Sequence, residues 1–265
     1  MKFLFLILSL CFFYSANAQV EDTVLYQNRA TSKDYKLPGD SIISRGHRHA
    51  VITSLIIPTT LITYGFICLE NKGLKQIDKS TGFEINEDHP AFLTHVDNYL
   101  QYVPALAVYG LNLAGIKGKN NLRDRTMIYG LSTIISAAIV TPLKKITKVQ
   151  RPDGSGFNSF PSGHTTTAFA AAEFLRKEYS DVSPWYGIAG YAVAATTGIL
   201  RLYNNKHWVS DVVAGAGFGI LSTKLAYWIY PTIKRKFFKD KPMHTLVTPY
   251  YQEGGAGVAL VHNFK

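Results

Sequence analysis

Charged residues are scarce in this sequence, because aspartate, glutamate, lysine and arginine make up only 17% of the 265 residues. Soluble globular domains carry about 25%. The low share therefore brings membrane proteins and heavily buried proteins into consideration. The mean hydropathy of +0.03 is low for a chain that lies mostly within a membrane, so a soluble protein also stays among the alternatives.

Cysteine is nearly absent, and one of its two occurrences lies in an N-terminal export signal. The segment MKFLFLILSLCFFYSANAQV has Lys2, an apolar run over residues 3–14 and small residues around Ala18. This pattern predicts a signal peptide over residues 1–18, with an uncleaved membrane anchor as the alternative. Cleavage removes Cys11 and leaves Cys68 alone, which excludes an intramolecular disulfide.

Acidic residues are fewer than basic ones, 18 against 28, which gives a formal net charge of +10. Such a balance suits an anionic partner: a nucleic acid, an anionic membrane surface or a phosphorylated substrate. No nucleic-acid-binding motif is present, so we expect no nucleic-acid partner. His47 and His49 lack a nearby carboxylate or cysteine. We therefore expect no metal site and no cofactor.

Apolar runs separated by polar segments indicate an all-α protein. The first run has the length of a membrane span, although Pro58 lies within it. Several runs are rich in alanine and glycine, which let helices approach closely. We predict one bundle of about six helices, embedded in a membrane. The runs are residues 50–69, 99–116, 127–143, 165–175, 186–202 and 209–230.

The remaining segments divide the chain into a polar arm (19–46), the helical domain (47–240) and a tail (241–265). In the tail, TLVTPYYQ and GVALVHNF flank EGGAG, which predicts a β-hairpin. Residues 70–98 are polar, with a short amphipathic helix expected near 91–99. GAGFG is a weak match to a nucleotide-binding loop, and close helix packing explains it better because no strand precedes it.

A histidine and an aspartate four residues apart suggest an activated nucleophile in RLYNNKHWVSD, residues 201–211. On a helix His207 and Asp211 would share a face. The carboxylate could then accept the proton of one imidazole nitrogen and leave the other as a nucleophile. A satisfied core histidine and a helix-capping aspartate are the alternative interpretations.

The segment PSGH, residues 161–164, opens an apolar helix. The free N–H groups of a helix start attract an anion. Ser162 adds a hydroxyl donor, and Gly163 lets the backbone approach a ligand closely. His164 can protonate a leaving oxygen. Taken alone, Ser162 could equally be a helix cap.

Three cations accompany these groups: Lys144 and Arg151 in KKITKVQRP, and Arg201 at the start of the third segment. The planar guanidinium of arginine binds phosphate oxygens bidentately. Phosphoryl transfer requires mainly positioning and neutralisation of spreading negative charge. No cluster of carboxylates is available to hold a metal, so we expect the cations to serve in place of one.

The three segments together resemble the signature of the type 2 phosphatidic acid phosphatase (PAP2) superfamily. The matches are Lys-x6-Arg-Pro, Pro-Ser-Gly-His and Arg-x5-His-x3-Asp, in that order, within residues 127–230. Leu200 departs from the pattern, since the family usually has serine before the third-segment arginine. The departure puts one phosphate hydrogen bond in doubt.

The resemblance implies a metal-independent helical bundle in which His207 attacks phosphorus and forms a phosphohistidine. Asp211 would orient His207, while His164 would protonate the leaving group and later activate water. The phosphate would be held by Lys144, Arg151, Ser162, Gly163 and Arg201.

The function expected from residues and resemblance together is a phosphatase of an envelope lipid phosphate or diphosphate. Lipid A, undecaprenyl diphosphate and a glycerophospholipid phosphate are the candidate substrates. The alternatives are a soluble periplasmic acid phosphatase of broad specificity, a vanadium haloperoxidase and an inactive membrane scaffold.

The expected location is the bacterial inner membrane, with the site facing the periplasm. A cleaved signal followed by three spans before Lys144 would instead place the site inside. These premises conflict, so either one early segment does not cross, or the bundle is peripheral, or the site faces the cytoplasm. Run 99–116, with Pro104 and Asn112, is the weakest span and the first to doubt.

Overall fold

The computed structural model describes residues 41–237, 245–252 and 255–262. The predicted signal peptide, residues 1–18, and most of the predicted arm lie outside these ranges. Eight helices form among the described residues. They are α1 (Ser41–Glu70), α2 (Lys72–Asp88), α3 (Asp97–Leu100), α4 (Val103–Leu113), α5 (Leu122–Thr147), α6 (Gly163–Tyr179), α7 (Pro184–Tyr203) and α8 (Val209–Phe237).

The helical bundle confirms the predicted fold class, with three local corrections. The six apolar runs correspond to α1 and α4–α8. The predicted helix near 91–99 is wrong, because helix begins only at Asp97 and spans four residues. The predicted arm is too long, since α1 already begins at Ser41. Helix α2 was not predicted, because its sequence is polar.

Polar residues cap the helices that lead into the bundle. The side chain of Asn71 accepts a hydrogen bond from the backbone N–H of Leu74 at the start of α2. Asn121 caps α5 in the same way, and Ser183 caps α7 just before a proline at the first helical position. These caps satisfy backbone donors that a helix start leaves without partners.

Within the part of the chain that the structure describes, three helices are long and apolar enough to cross a membrane: residues Thr53–Glu70 of α1, α5 and α8. Helix α4 is apolar but has 11 residues, about 16 Å at 1.5 Å per residue, against a hydrocarbon core of about 30 Å. The doubted run 99–116 is therefore not among the candidate spans. The fold is that of a membrane protein.

The doubted run, together with Asn98 directly before it, nevertheless extends along the whole of α6. Asn98 contacts His164 at the start of α6. At its end, the Tyr179 hydroxyl donates to the carbonyl oxygens of Val108 (2.9 Å) and Ile116 (3.1 Å). Helix α4 itself is short, but Asn98 of α3 before it and Ile116 after it reach the two ends of α6.

Helix α1 runs antiparallel to α8. Gly65 lies against Ala214, and Ile62 and Pro58 lie against Gly217 one turn further along α8. The C-terminal end of α1 therefore lies beside the start of α8, and its N-terminal end points toward the other end of the bundle.

The GAGFG stretch packs helices together. A methyl group added to Gly215 would lie 2.7 Å from the carbonyl oxygen of Ser162, and one added to Gly217 would lie 2.7 Å from that of Pro58. Both distances are shorter than van der Waals contact. The glycines let α8 approach the backbones of α6 and α1, as the packing interpretation predicts.

Substitution of Gly215 by alanine is expected to destabilise the fold by about 1–3 kcal/mol, the usual cost of overpacking. Gly110→Ala is the matched control, because nothing lies within 4 Å of the added methyl group. Alanine there is expected to be neutral, or stabilising by up to about 1 kcal/mol through helix propensity. Thermal unfolding in detergent measures both, and equal midpoints for the two variants would contradict the packing role.

The tail forms the antiparallel hairpin that the sequence predicts. Strand β1 (Thr245–Gln252) pairs with β2 (Gly255–His262), from Thr245 opposite His262 to Gln252 opposite Gly255. The glycines of EGGAG were expected to form the turn. Gly255 and Gly257 instead belong to β2, so the connection is shorter than predicted.

Candidate active site

The three sequence segments meet where four helix ends converge. Lys144 lies in the last turn of α5 and Arg201 in the last turn of α7. His164 lies in the first turn of α6, and Asp211 in the first turn of α8. His207 lies in the connection between α7 and α8 and is 2% exposed. The eight predicted site residues all belong to this group or to the loop before α6.

His207 and Asp211 approach each other, but not as neighbours on one helix, because α8 begins only at Val209. His207 Nδ1 lies 3.5 Å from Asp211 Oδ2. The Ser159 hydroxyl lies between them: it donates to Asp211 Oδ2, and its oxygen is 3.3 Å from His207 Nδ1. The backbone N–H of Trp208 also donates to Asp211 Oδ2, at 2.9 Å.

This arrangement determines which imidazole nitrogen can act as a nucleophile. Because the Ser159 proton goes to Asp211, the serine oxygen can accept the N–H of His207 Nδ1. Nε2 then carries the free lone pair. Asp211 thus orients His207 largely through Ser159.

Burial lowers the pKa of His207 well below its usual range, and Lys144, Arg201 and Arg151 lower it further. Taking an imidazolium out of water is costly, and nearby cations repel it. His207 is therefore neutral near pH 7, as nucleophilic attack requires.

Replacement of Ser159 by alanine is expected to lower kcat about 10- to 100-fold, because His207 loses the group that fixes its tautomer and Asp211 loses a donor. Ser80→Ala, an exposed serine of α2, is the control and is expected to leave kcat unchanged. Steady-state phosphate release measures both. Unaltered kcat for Ser159→Ala would mean that the direct approach of His207 and Asp211 suffices.

The start of α6 is built by Ser162. Its Oγ accepts hydrogen bonds from the backbone N–H and the hydroxyl of Thr165, at 3.4 and 2.9 Å. Its own backbone N–H donates to the carbonyl oxygen of Asp211 at 3.0 Å. Ser162 is thus the helix cap, and its hydroxyl proton remains for a phosphate oxygen. At Gly163, an added methyl group would lie 3.9 Å from Lys144 Cε, so the glycine flanks this lysine.

The cations are held by the loop that joins α5 to α6. Lys144 Nζ donates to the carbonyl oxygens of Asn158 (2.6 Å) and Ser159 (3.3 Å). Arg151 Nε donates to Asn158 Oδ1 at 2.9 Å. One asparagine therefore orients both side chains, and each cation keeps further donors for an anion.

Arg201 is held from a different direction, by a buried ion pair with Asp97 in α3. Arg201 is 7% exposed and Asp97 is 1% exposed. The pair joins one terminal nitrogen of the guanidinium to Asp97 Oδ2. Within the part of the chain that the structure describes, Arg201 Nε has no hydrogen-bond partner. The guanidinium therefore keeps a buried donor for an anion.

His164 is half-buried, and its Nε2 lies 2.8 Å from Asn98 Oδ1. Burial lowers its pKa to about 4; Arg201, Arg151 and Lys144 contribute, while Asp97 opposes them. His164 is neutral in the free protein at pH 7. A doubly negative phosphate among the cations would raise its pKa and favour the protonated form.

Four residues that shape the site were missed from sequence. Ser159 lies three residues before Ser162, so its place beside a recognised motif was a usable signal. Asp97 and Asn98 lie 104 and 66 residues from their partners and belong to no motif. Asp78 in α2 accepts bonds from the N–H (3.0 Å) and hydroxyl of Ser210, at the start of α8.

Among residues 53–237 and the hairpin, no group of three or more histidine, cysteine, aspartate or glutamate side chains is placed to hold a metal ion. The structure brings the eight predicted residues to one place. Their individual roles stay predictions.

A family model described as the PAP2 superfamily matches residues 125–235. This range includes all three sequence segments. It excludes α1, α2, α3 and α4.

Two curated relatives illustrate the similarity. A lipid A 1-phosphatase of Porphyromonas gingivalis is 41% identical over 165 residues, which are 62% of this chain and 36% of the relative. A probable diacylglycerol pyrophosphate phosphatase of Schizosaccharomyces pombe is 26% identical over 235 residues, 72% of this chain and 80% of the relative. The chain thus spans about a third of the Porphyromonas protein's length.

One solved structure that the chain matches in part is the first transmembrane PAP2-type phosphatidylglycerolphosphate phosphatase from Bacillus subtilis. It superimposes with a TM-score of 0.46 at 21% identity, over 68% of this chain and 98% of the other.

Proposed function

We propose that this protein is a phosphatase of a lipid phosphate or diphosphate of the bacterial envelope. The premise is that residues 125–235 match the PAP2 superfamily model. The observation that carries the proposal is the buried, neutral imidazole of His207, surrounded by three cations. A neutral nucleophile beside cations is what attack on a phosphate dianion requires.

In the proposed mechanism, Lys144, Arg151 and Arg201 bind the phosphate oxygens together with the N–H groups at the start of α6. His207 Nε2 attacks phosphorus with its lone pair, and the bond from phosphorus to the lipid oxygen breaks. His164 gives its proton to that oxygen, and a phosphohistidine forms. His164 then takes a proton from water, which attacks phosphorus, releases inorganic phosphate and restores both histidines.

Lipid A is the first substrate to test, because the Porphyromonas relative is named a lipid A 1-phosphatase. Undecaprenyl diphosphate and glycerophospholipid phosphates remain candidates, since the fission-yeast relative is named for a pyrophosphate lipid. The three candidate spans favour a lipid over a soluble phosphoester. The expected partner is therefore the membrane with its phosphorylated lipids.

The proposed location is the inner membrane, with the site facing the periplasm. Basic residues are enriched on the cytoplasmic side of membrane proteins. Helix α8 begins at the site and carries Lys234, Arg235 and Lys236 in its last turn. Lys117 and Lys119 precede α5, whose other end reaches the site. Lys117 and Lys119 are thus at the end of α5 opposite the site, whereas the last turn of α5 carries Lys144 and Lys145, so the basic residues alone do not decide the side.

Phosphate release by the purified protein tests this function. The panel contains lipid A, undecaprenyl diphosphate, phosphatidic acid, phosphatidylglycerophosphate and a soluble aryl phosphate, each in detergent with a chelator present. We expect turnover of a lipid substrate that the chelator does not affect. Turnover mainly of the aryl phosphate would favour a soluble-type phosphatase of broad specificity, and no release from any substrate would reject the proposal.

A further inference from the structure

We propose that residues 94–98, the 94–98 segment, complete the active site: Asn98 positions His164, and Asp97 positions Arg201. This inference rests on the proposed function for the roles of the two partners. The segment lies outside the range that the family model matches, 125–235. Asp97 and Asn98 therefore reach the site from a part of the chain that contains no recognised motif.

The segment is fixed to the end of α7 by a reciprocal pair of hydrogen bonds. The backbone N–H of Thr94 donates to Asn204 Oδ1, and Asn204 Nδ2 donates to the carbonyl oxygen of Thr94, both at 2.9 Å. The ring of Phe92 packs edge-on against Tyr203 with 5.4 Å between centroids. Gln101 Nε2 donates to the carbonyl oxygen of Asn98 at 2.8 Å. These contacts hold the 94–98 segment in place, as the positioning of Arg201 and His164 requires.

Asp97 gives Arg201 a defined orientation. A long arginine side chain would otherwise sample many rotamers, and immobilising it costs free energy when the phosphate binds. The buried contact with Asp97 Oδ2 fixes the guanidinium before binding. The buried Nε of Arg201 has no partner among the contacts described, so it is one donor left to the ligand.

Asn98 gives His164 both an orientation and a preferred tautomer. Its amide oxygen lies 2.8 Å from Nε2, so Nε2 carries the proton in neutral His164 and Nδ1 has the lone pair. When His164 is protonated, the same oxygen still accepts from Nε2, and Nδ1–H becomes available to the leaving group. Asn98 itself is exposed.

The charged groups that face His164 come from every element around it. Lys144 belongs to α5, Arg151 to the loop before α6, and Arg201 to α7, while Asp97 lies in α3. His207 lies close enough for the two imidazoles to interact electrostatically. Asn98 is uncharged and contacts His164 directly. A charged residue at this position therefore shifts the pKa of His164 in a known direction.

The test is an NMR titration of His164 in the full-length protein with labelled histidine, assigned through His164→Gln. Asn98→Asp places a carboxylate on Nε2 and is expected to raise the pKa of His164 by about one unit or more. Asn98→Leu removes the acceptor and is expected to lower it. Tyr99→Asp is the control: it adds the same charge at an adjacent residue that is 76% exposed, and is expected to shift the pKa much less.

Shifts in opposite directions for the two Asn98 variants support the inference. Unchanged pKa values, or an equal shift for Tyr99→Asp, would overturn it. Turnover separates this inference from the proposed function. If both hold, the basic limb of the kcat–pH profile moves with the pKa of His164. If no panel substrate releases phosphate while the titration shifts as expected, the function fails and the positioning contact stands.

Discussion

Replacement of His207 by alanine is expected to lower phosphate release from the lipid substrate at least about 10⁴-fold. His207 is the attacking group in the proposed mechanism, and loss of a nucleophile typically removes most of an enzyme's rate enhancement. The side chain is 2% exposed, so the alanine also leaves a small cavity. Thermal unfolding of the variant, measured beside kcat, separates loss of chemistry from loss of fold.

The control is Gln76→Ala, which removes an exposed side chain of α2 and is expected to leave kcat within about twofold of the wild type, since surface substitutions usually have small effects. A folded His207→Ala variant that still releases phosphate at the wild-type rate would reject His207 as the nucleophile. A trapped acid-labile phosphoprotein in the wild type, absent from the variant, is the expected chemical counterpart.

The pH dependence of kcat/KM follows from the same residue. Burial and three cations hold the pKa of His207 well below 6.5. The neutral form reacts, so activity is retained as pH falls to the shifted pKa and is lost below it. We therefore expect the acid limb assigned to His207 to lie well below pH 6.5. Because kcat/KM reports the free enzyme, a limb from His207 at or above that value would contradict the buried, cation-rich environment.

The second large effect is expected for Arg201→Met, which should lower both stability and turnover. Asp97 would be left buried without its partner, at 1% exposure, and breaking a buried ion pair costs about 3–5 kcal/mol. The phosphate would also lose a cation, which typically costs about 10²- to 10³-fold in kcat. Thermal unfolding and steady-state turnover measure the two effects independently.

The double variant Asp97→Leu/Arg201→Met separates these effects. Replacing both charges with apolar side chains of similar volume removes the unpaired carboxylate, so stability is expected to return close to that of the wild type. Turnover is expected to stay low, because the phosphate-binding cation is still missing. Recovery of turnover together with stability would show that Arg201 has a structural role alone.

The helices with apolar sequences could be predicted, whereas α2 could not. Its partners come from elsewhere in the chain: Gly82 lies against the ring of Trp208, and Phe83 meets the same ring edge-on at 5.8 Å. Asp78 is buried because Ser210 satisfies it. A polar stretch that forms a helix and docks through such partners has no periodic apolar signal of its own.

In the same way, the sequence predicted the site residues that belong to the three motif segments and missed the others. Sequence spacing brought out His164, His207 and Asp211, because regular patterns of chemistry-bearing residues are visible along the chain. The expected direct pairing of His207 with Asp211 was too simple, since Ser159 lies between them. Asp97 and Asn98 could not have been found, because only the folded chain brings them to Arg201 and His164.

Because α1 and α8 are antiparallel, the membrane face on which the active site opens depends on where the residues before α1 are located. If α1 spans the membrane, its start and the site lie on opposite faces. A site open to the periplasm therefore requires the residues directly before α1 to lie in the cytoplasm, which an N-terminal signal that exports them would not allow. If the mature chain begins at Gln19 outside the membrane, the active site would instead face the cytoplasm. His207 would then face the lipids of the cytoplasmic leaflet.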